Sequence, residues 1–275
     1  MNSAIARQDW PGAGSGHLFL AHATGFCKEV WDPVVAELRS IGWDGSMTAW
    51  DAPGHGGSPA IPVPFDWWDM ARAALDMVKR PGSSSPKVGV GHSMGGATLV
   101  MAELLDPGSL QGLILIEPII FPPPFQRIEE HPLAVGATRR RASFASSDEA
   151  LENFSSKAAF GSWDERALRA YVQGGLVERD GRFWLACEPQ FEADLYRSGS
   201  AHSAYERLSD VECPVLILSG QSSFTHPETF AAHLAAQFQD GRYQVIPGTG
   251  HFLPMERPDL VAAQIADELQ RLGAG

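Results

Sequence analysis

Within this 275-residue chain a serine sits among glycines: Gly91-His92-Ser93-Met94-Gly95-Gly96. The run follows a short apolar segment, Lys87–Val90, and opens a stretch with helical spacing, Gly95–Leu105. A sharp strand-to-helix turn needs glycines, because its strained backbone leaves no room for neighbouring side chains. Such a turn lifts the Ser93 hydroxyl above a sheet edge, and the helix N-terminus adds positive potential where an oxyanion would form. A hydroxyl attacks carbonyl carbon well only when a base removes its proton. His251 fits that part: it lies in IPGTGHFLPMERP, among loop-forming residues between the last apolar run and the last helical stretch. The bland alternatives are a glycine-rich turn with an idle serine and a surface histidine.

These two side chains need a frame. Apolar runs at His17–His22, Met47–Trp50, Lys87–Val90, Leu113–Ile116, Pro214–Ser219 and Tyr243–Ile246 read as strands, several of them buried on both faces. Helical spacing fills Val30–Ser40, Asp66–Lys79, Gly95–Leu105, His226–Phe238 and Pro258–Leu272. This alternation predicts an α/β fold with a doubly wound, mostly parallel sheet and ligands outside the strands' carboxyl ends. One interval breaks the rhythm. Residues 121–211 begin with prolines, contain helical patterns at Asp148–Phe154 and Trp163–Gln173, and offer only Arg182–Ala186 as a short exposed strand or turn. They hold twelve of the chain's 26 aromatic residues. The expected organisation is a core from 1–120 and 212–275, interrupted by a mainly helical lid at 121–211 that walls an apolar pocket. SSSP at 83–86 reads as a loop.

Composition removes other function classes. Apolar residues make up 44% and charged residues 20%, as expected of a soluble globular protein. With 21 Lys and Arg against 33 Asp and Glu the net charge is −12, which repels nucleic acid and anionic membranes. Cys27, Cys187 and Cys213 form no CxxC pair, and neither metal-ligand spacing nor a G-x-G-x-x-G cradle occurs, so no metal and no cofactor is expected. The absence of a secretory signal or a membrane-length apolar run makes a cytoplasmic location the expectation.

With these motifs together, the sequence resembles the α/β-hydrolase fold superfamily. His22-Ala23-Thr24-Gly25-Phe26 resembles its oxyanion loop, with Ala23 where a glycine is usual. Asp51-Ala52-Pro53-Gly54-His55-Gly56-Gly57-Ser58 resembles its D-x-x-G-x-G-x-S turn, GHSMGG its nucleophile elbow, and GTGHFLPMERP its histidine loop. The resemblance implies an oxyanion hole from the backbone N–H groups of Thr24 and Met94, and a bracing role for residues 51–58.

It also implies a third member, an acid that steadies the histidine. In this fold the acid is commonly an aspartate just after the penultimate strand, and here Ser223 occupies that place in Ser219-Gly220-Gln221-Ser222-Ser223. One strand earlier, LILI runs into Glu117-Pro118. Certain haloalkane dehalogenases and zearalenone-type lactonases are similar in carrying the acid after that strand, so Glu117 is the expected acid. Asp210 and Glu228 are remoter choices, and a glutamate pairing with a lid arginine (Arg127, or one of Arg139–Arg141) is the structural alternative. Arg139–Arg141 reads either as a contact for a carboxylate-bearing substrate or as a solvated lid turn. Phe26, Trp163, Trp184 and Phe121, with Trp67, Trp68 and Phe125, either line a pocket for an apolar substrate or simply pack.

The implied activity is that of a serine hydrolase acting on a small apolar carboxylic ester through a Ser-His-Glu triad. A lactonase is the nearest alternative, and a ligand-binding receptor of the same fold the alternative from another class.

Overall fold

The computed structural model describes residues 5–80 and 86–274, so the serines of the SSSP segment lie outside it. Ten strands are found among these residues: β1 Arg7–Trp10, β2 His17–Ala21, β3 Ser46–Trp50, β4 Lys87–His92, β5 Gly112–Ile116, β6 Ser143–Phe144, β7 Leu176–Arg179, β8 Arg182–Leu185, β9 Val215–Gly220 and β10 Gly241–Ile246. Seven form one sheet in the order β1-β3-β2-β4-β5-β9-β10. All of its neighbours run parallel except β1, which pairs antiparallel with β3. The expected doubly wound sheet is therefore present, with one added edge strand. Its sequence, RQDW, is half exposed and gives no apolar run to read.

The helices are α1 Asp32–Ser40, α2 Trp67–Val78, α3 Met94–Leu105, α4 Pro132–Thr138, α5 Ser147–Ser155, α6 Glu165–Gly174, α7 Pro189–Ser198, α8 Glu228–Ala235, α9 Leu253–Glu256 and α10 Pro258–Arg271. Alternating strand residues feed two cores. Leu18, Leu20, Val88, Val90, Ile114 and Ile116 face α1 and α10, while Phe19, Ala21, Leu113 and Leu115 face α2 and α3. The central helix α3 is buried on nearly every side, and its sequence, MGGATLVMAELL, is accordingly apolar all round.

Register sets the heights that matter. His92 at the end of β4 lies opposite Ile116 at the end of β5, and Ile116 lies opposite Leu218 of β9. The next residues, Ser93 and Glu117, thus leave the sheet side by side, with Ser219 and Gly220 alongside.

Between β5 and β9 the chain forms α4–α7 and a three-stranded antiparallel sheet in the order β6-β8-β7. α5 and α6 match the helical patterns, and β8 matches the exposed strand. α4 and α7 give no comparable pattern: α4 is seven residues long and carries a proline and a glycine, and α7 begins at a proline. Trp184 does not join a pocket wall. On β8, Phe183 and Leu185 face inward, whereas Trp184 points outward with 39% of its surface exposed, beside Ser143 and Val177. A period of two places neighbouring residues on opposite faces, so an aromatic run cannot line one pocket throughout. Among the described residues no helix is long and apolar enough to cross a membrane.

Candidate active site

Ser93 occupies the turn between β4 and α3 with φ 53° and ψ −110°, a strained backbone for a residue with a side chain. Neighbours hold it there: its N–H donates to the Ile116 carbonyl at 2.8 Å, and its own carbonyl accepts from the Ile119 N–H at 3.2 Å. The turn requires glycine nearby, since a Cβ on Gly95 would stand 2.1 Å from the Ala21 carbonyl oxygen. Met94 begins α3, so its N–H has no intrahelical acceptor.

Glu117 also takes a positive φ, 45°, directly after β5. Its side chain is wholly buried and its hydrogen bonding is extensive. Oε1 accepts from the Gly220 N–H at 2.8 Å. Oε2 accepts from the hydroxyls of Ser223 at 2.8 Å and Thr225 at 3.0 Å, and lies 2.5 Å from Nδ1 of His251. Burial alone would raise the carboxyl's pKa. The hydrogen bond and charge of His251, with the Gly220 N–H and His226, outweigh it and hold Glu117 below its ordinary value. Glu117 is therefore a carboxylate facing an imidazole.

The structural alternative for Glu117 fails. Arg127 pairs with Glu129 and Asp194, Arg140 with Glu192, and Arg141 with Glu149. Asp210 is tied to Arg207 at the surface, and Glu228 is exposed. Ser223 stands at the expected acid position as a donor to Glu117, not as a substitute for it.

His251 is fixed from behind by His92, whose Nε2–H donates to the His251 carbonyl at 2.9 Å. Among the described residues the hydrogen bonds of His251 run to Glu117, Thr225 and His92, and none reaches the Ser93 hydroxyl. Contacts of that kind commonly close only when substrate docks.

Sequence reasoning passed over two neighbours, Thr225 and His226. His226 donates from Nε2 to the Pro118 carbonyl at 2.9 Å and turns Nδ1 toward the Thr225 hydroxyl at 3.2 Å. Glu117, His226 and His251 each bring one potential ligand atom within 4.8 Å of the others. Those atoms already share protons among themselves and with the two hydroxyls, and a cation there would have to displace the Glu117–His251 hydrogen bond. The polar residues clustered after β9, Ser222, Ser223 and Thr225, were the available signal.

The loop carrying Thr24 is cross-braced to residues 51–58 by two imidazoles. His22 donates from Nδ1 to the Ala23 carbonyl at 2.8 Å and accepts the Ala52 N–H at 2.9 Å. His55 donates to the Pro53 carbonyl at 3.1 Å and accepts the Gly25 N–H at 3.0 Å. Only a neutral ring can do both.

Burial, the first cause in each case, lowers His55 and His92 to about 3, and His202 and His226 to about 4. Unfolded, each would titrate near 6.5. Below that pH the unfolded chain binds protons that the folded one does not. Stability is therefore complete above it and falls with acid, by about 1.4 kcal/mol per pH unit for each histidine. The urea midpoint is expected to drop between about pH 7 and about pH 5, and an unchanged midpoint contradicts neutral burial.

Aromatic rings flank the site. Phe26 packs against Trp163, Tyr171 and Phe252, at 5.3, 5.5 and 5.8 Å between centroids, and the Phe252 ring stands 5.3 Å from that of His251. Phe121 instead packs on His226 and Phe230.

Comparison with known proteins agrees with this fold. The model of the alpha/beta hydrolase family matches residues 18–264. The abhydrolase domain-containing protein AKT2 of Alternaria alternata is 27% identical over 222 residues, covering 68% of this chain and 84% of its own. The pimeloyl-[acyl-carrier protein] methyl ester esterase of Nitrosospira multiformis is 26% identical over 259 residues, covering 90% and 92%. Among solved structures, the peroxisomal alpha-beta-hydrolase Lpx1 of Saccharomyces cerevisiae superposes with a TM-score of 0.82 at 20% identity, over 98% of this chain and 90% of that one.

Proposed function

The chain belongs to the alpha/beta hydrolase family, and from that premise we propose that it is a serine hydrolase cleaving a small, apolar carboxylic ester. The observation that carries this reading is the 2.5 Å contact between the buried Glu117 carboxylate and Nδ1 of His251. A carboxylate there keeps the proton on Nδ1, leaving Nε2 free to act as a base. Nε2 takes the Ser93 proton as Oγ attacks the ester carbonyl. The oxyanion is held by the N–H groups of Thr24 and Met94, and His251 then protonates the departing alcohol. Water, deprotonated by the same imidazole, clears the acyl-enzyme and restores Ser93.

Residues 121–211 act as the lid, with Phe26 and Trp163 offering an apolar wall to the substrate. The esterase named among the relatives supports ester cleavage. The test is p-nitrophenyl esters of graded chain length. A burst of p-nitrophenol stoichiometric with enzyme, followed by steady turnover, is expected, together with an acyl adduct on Ser93 by mass spectrometry. Ligand-induced thermal stabilisation without turnover would instead assign a receptor.

A further inference from the structure

The insertion grips the loop that carries Thr24, and it does so with an ion pair whose carboxylate is buried. Two consecutive residues of α7 do the gripping. The Phe191 ring lies against Gly54, where a Cβ would come within 2.2 Å of Cε1, and stands 6.2 Å from the His55 ring. Glu192 lies against Gly25, where a Cβ would stand 2.5 Å from Oε1. Gly25 takes φ +80°, follows Thr24 directly and donates its N–H to His55. The insertion therefore bears on both halves of the His22–His55 brace.

Arg140 completes the grip. Its Nη1 is hydrogen-bonded to Oε2 of Glu192, and its Nη2 donates to the Tyr171 hydroxyl at 2.5 Å. Tyr196 adds a long contact, 3.5 Å, to Oε1 of Glu192. One guanidinium thus ties the segment after α4 to α6 and α7, directly over Gly25. Charge matters as much as position here. The Glu192 side chain is 5% exposed, so solvent does little to screen it. Unpaired, that carboxylate would oppose a negative oxygen forming beside Thr24. Arg140 cancels it.

We propose that Arg140 and Glu192 are positioning residues for the oxyanion hole: the pair fixes the Thr24–Gly25 backbone, and the guanidinium neutralises a carboxylate that would otherwise repel the oxyanion. The kinetic consequence rests on the hydrolase reading above; the clamp itself does not.

Arg140→Met, Arg140→Lys and the double variant Arg140→Met with Glu192→Met separate these effects. For Arg140→Met, kcat is expected to fall about 100-fold with KM changed by less than about threefold, as for loss of one oxyanion donor. The double variant, with no stranded charge, is expected to recover at least about tenfold of that loss. Arg140→Lys keeps the charge without the fork and falls between. Amide hydrogen exchange over residues 22–28 gives a readout free of catalysis: faster exchange at Gly25 in Arg140→Met, restored toward normal in the double variant. Losses that multiply in the double variant, or exchange unchanged in Arg140→Met, overturn the proposal. Wild-type protein lacking Ser93-dependent turnover would sink the hydrolase reading instead, and the exchange data would still decide the clamp.

Discussion

Replacing Ser93 by alanine is expected to lower kcat by about 10⁶-fold, the scale measured when a comparable triad loses its nucleophile. The reasoning is local. The Ser93 hydroxyl does not cap its own helix, so its removal leaves no structural partner stranded. The strained backbone is held by the Ile116 carbonyl and the Ile119 N–H, which alanine keeps. Folding and substrate affinity should therefore survive while the acyl-enzyme cannot form. The measurements are single-turnover kinetics and loss of labelling by an alkyl phosphonate. A variant within about tenfold of wild type would remove Ser93 from the chemistry.

The second large effect belongs to Glu117. The Glu117→Gln variant is nearly isosteric, and its amide can still accept the Gly220 N–H. It cannot hold a proton on Nδ1 of His251 as a carboxylate does, and the wrong tautomer in a comparable triad costs about 10⁴-fold in kcat. Burial works against the charged form of Glu117, and its partners overcome that penalty. Its charge is thus sustained by donors arranged around it rather than by water. Ser223→Ala removes one of them, and one hydrogen bond to a charged group is worth about 1.5 kcal/mol, or about tenfold. Steady-state kinetics of the two variants decide the matter: if Ser223→Ala proves the crippled one, Glu117 is not the acid.

The contrast between these residues explains what could be read early. The Ser93 turn is a local problem in sterics, and its solution is written in adjacent glycines. The strands are equally legible, because a segment buried on both faces must be apolar at every position, as LILI is. Glu117 is legible only through resemblance, from the serine at position 223 and the family members that carry the acid one strand earlier, for nothing within Glu117-Pro118 itself marks a catalytic group. Its partners Thr225 and His226 stand more than a hundred positions away, in the loop before α8. Trp184 misled for a simple reason: composition counts aromatic rings but does not say which face of a strand they occupy.

By itself, then, the sequence determined the alternation of strands and helices, the glycine-bound serine and the histidine loop. Each follows from sterics or burial acting over a few neighbouring residues. Only the tertiary structure decided how Glu117 is surrounded, how two neutral imidazoles brace the loop at Thr24, and how Arg140 meets Glu192 over Gly25. Hydrogen bonds and ion pairs take their strength from distance, direction and exclusion of water. For residues separated by 134 positions, as Glu117 and His251 are, those quantities exist only once the sheet has brought the strand ends together.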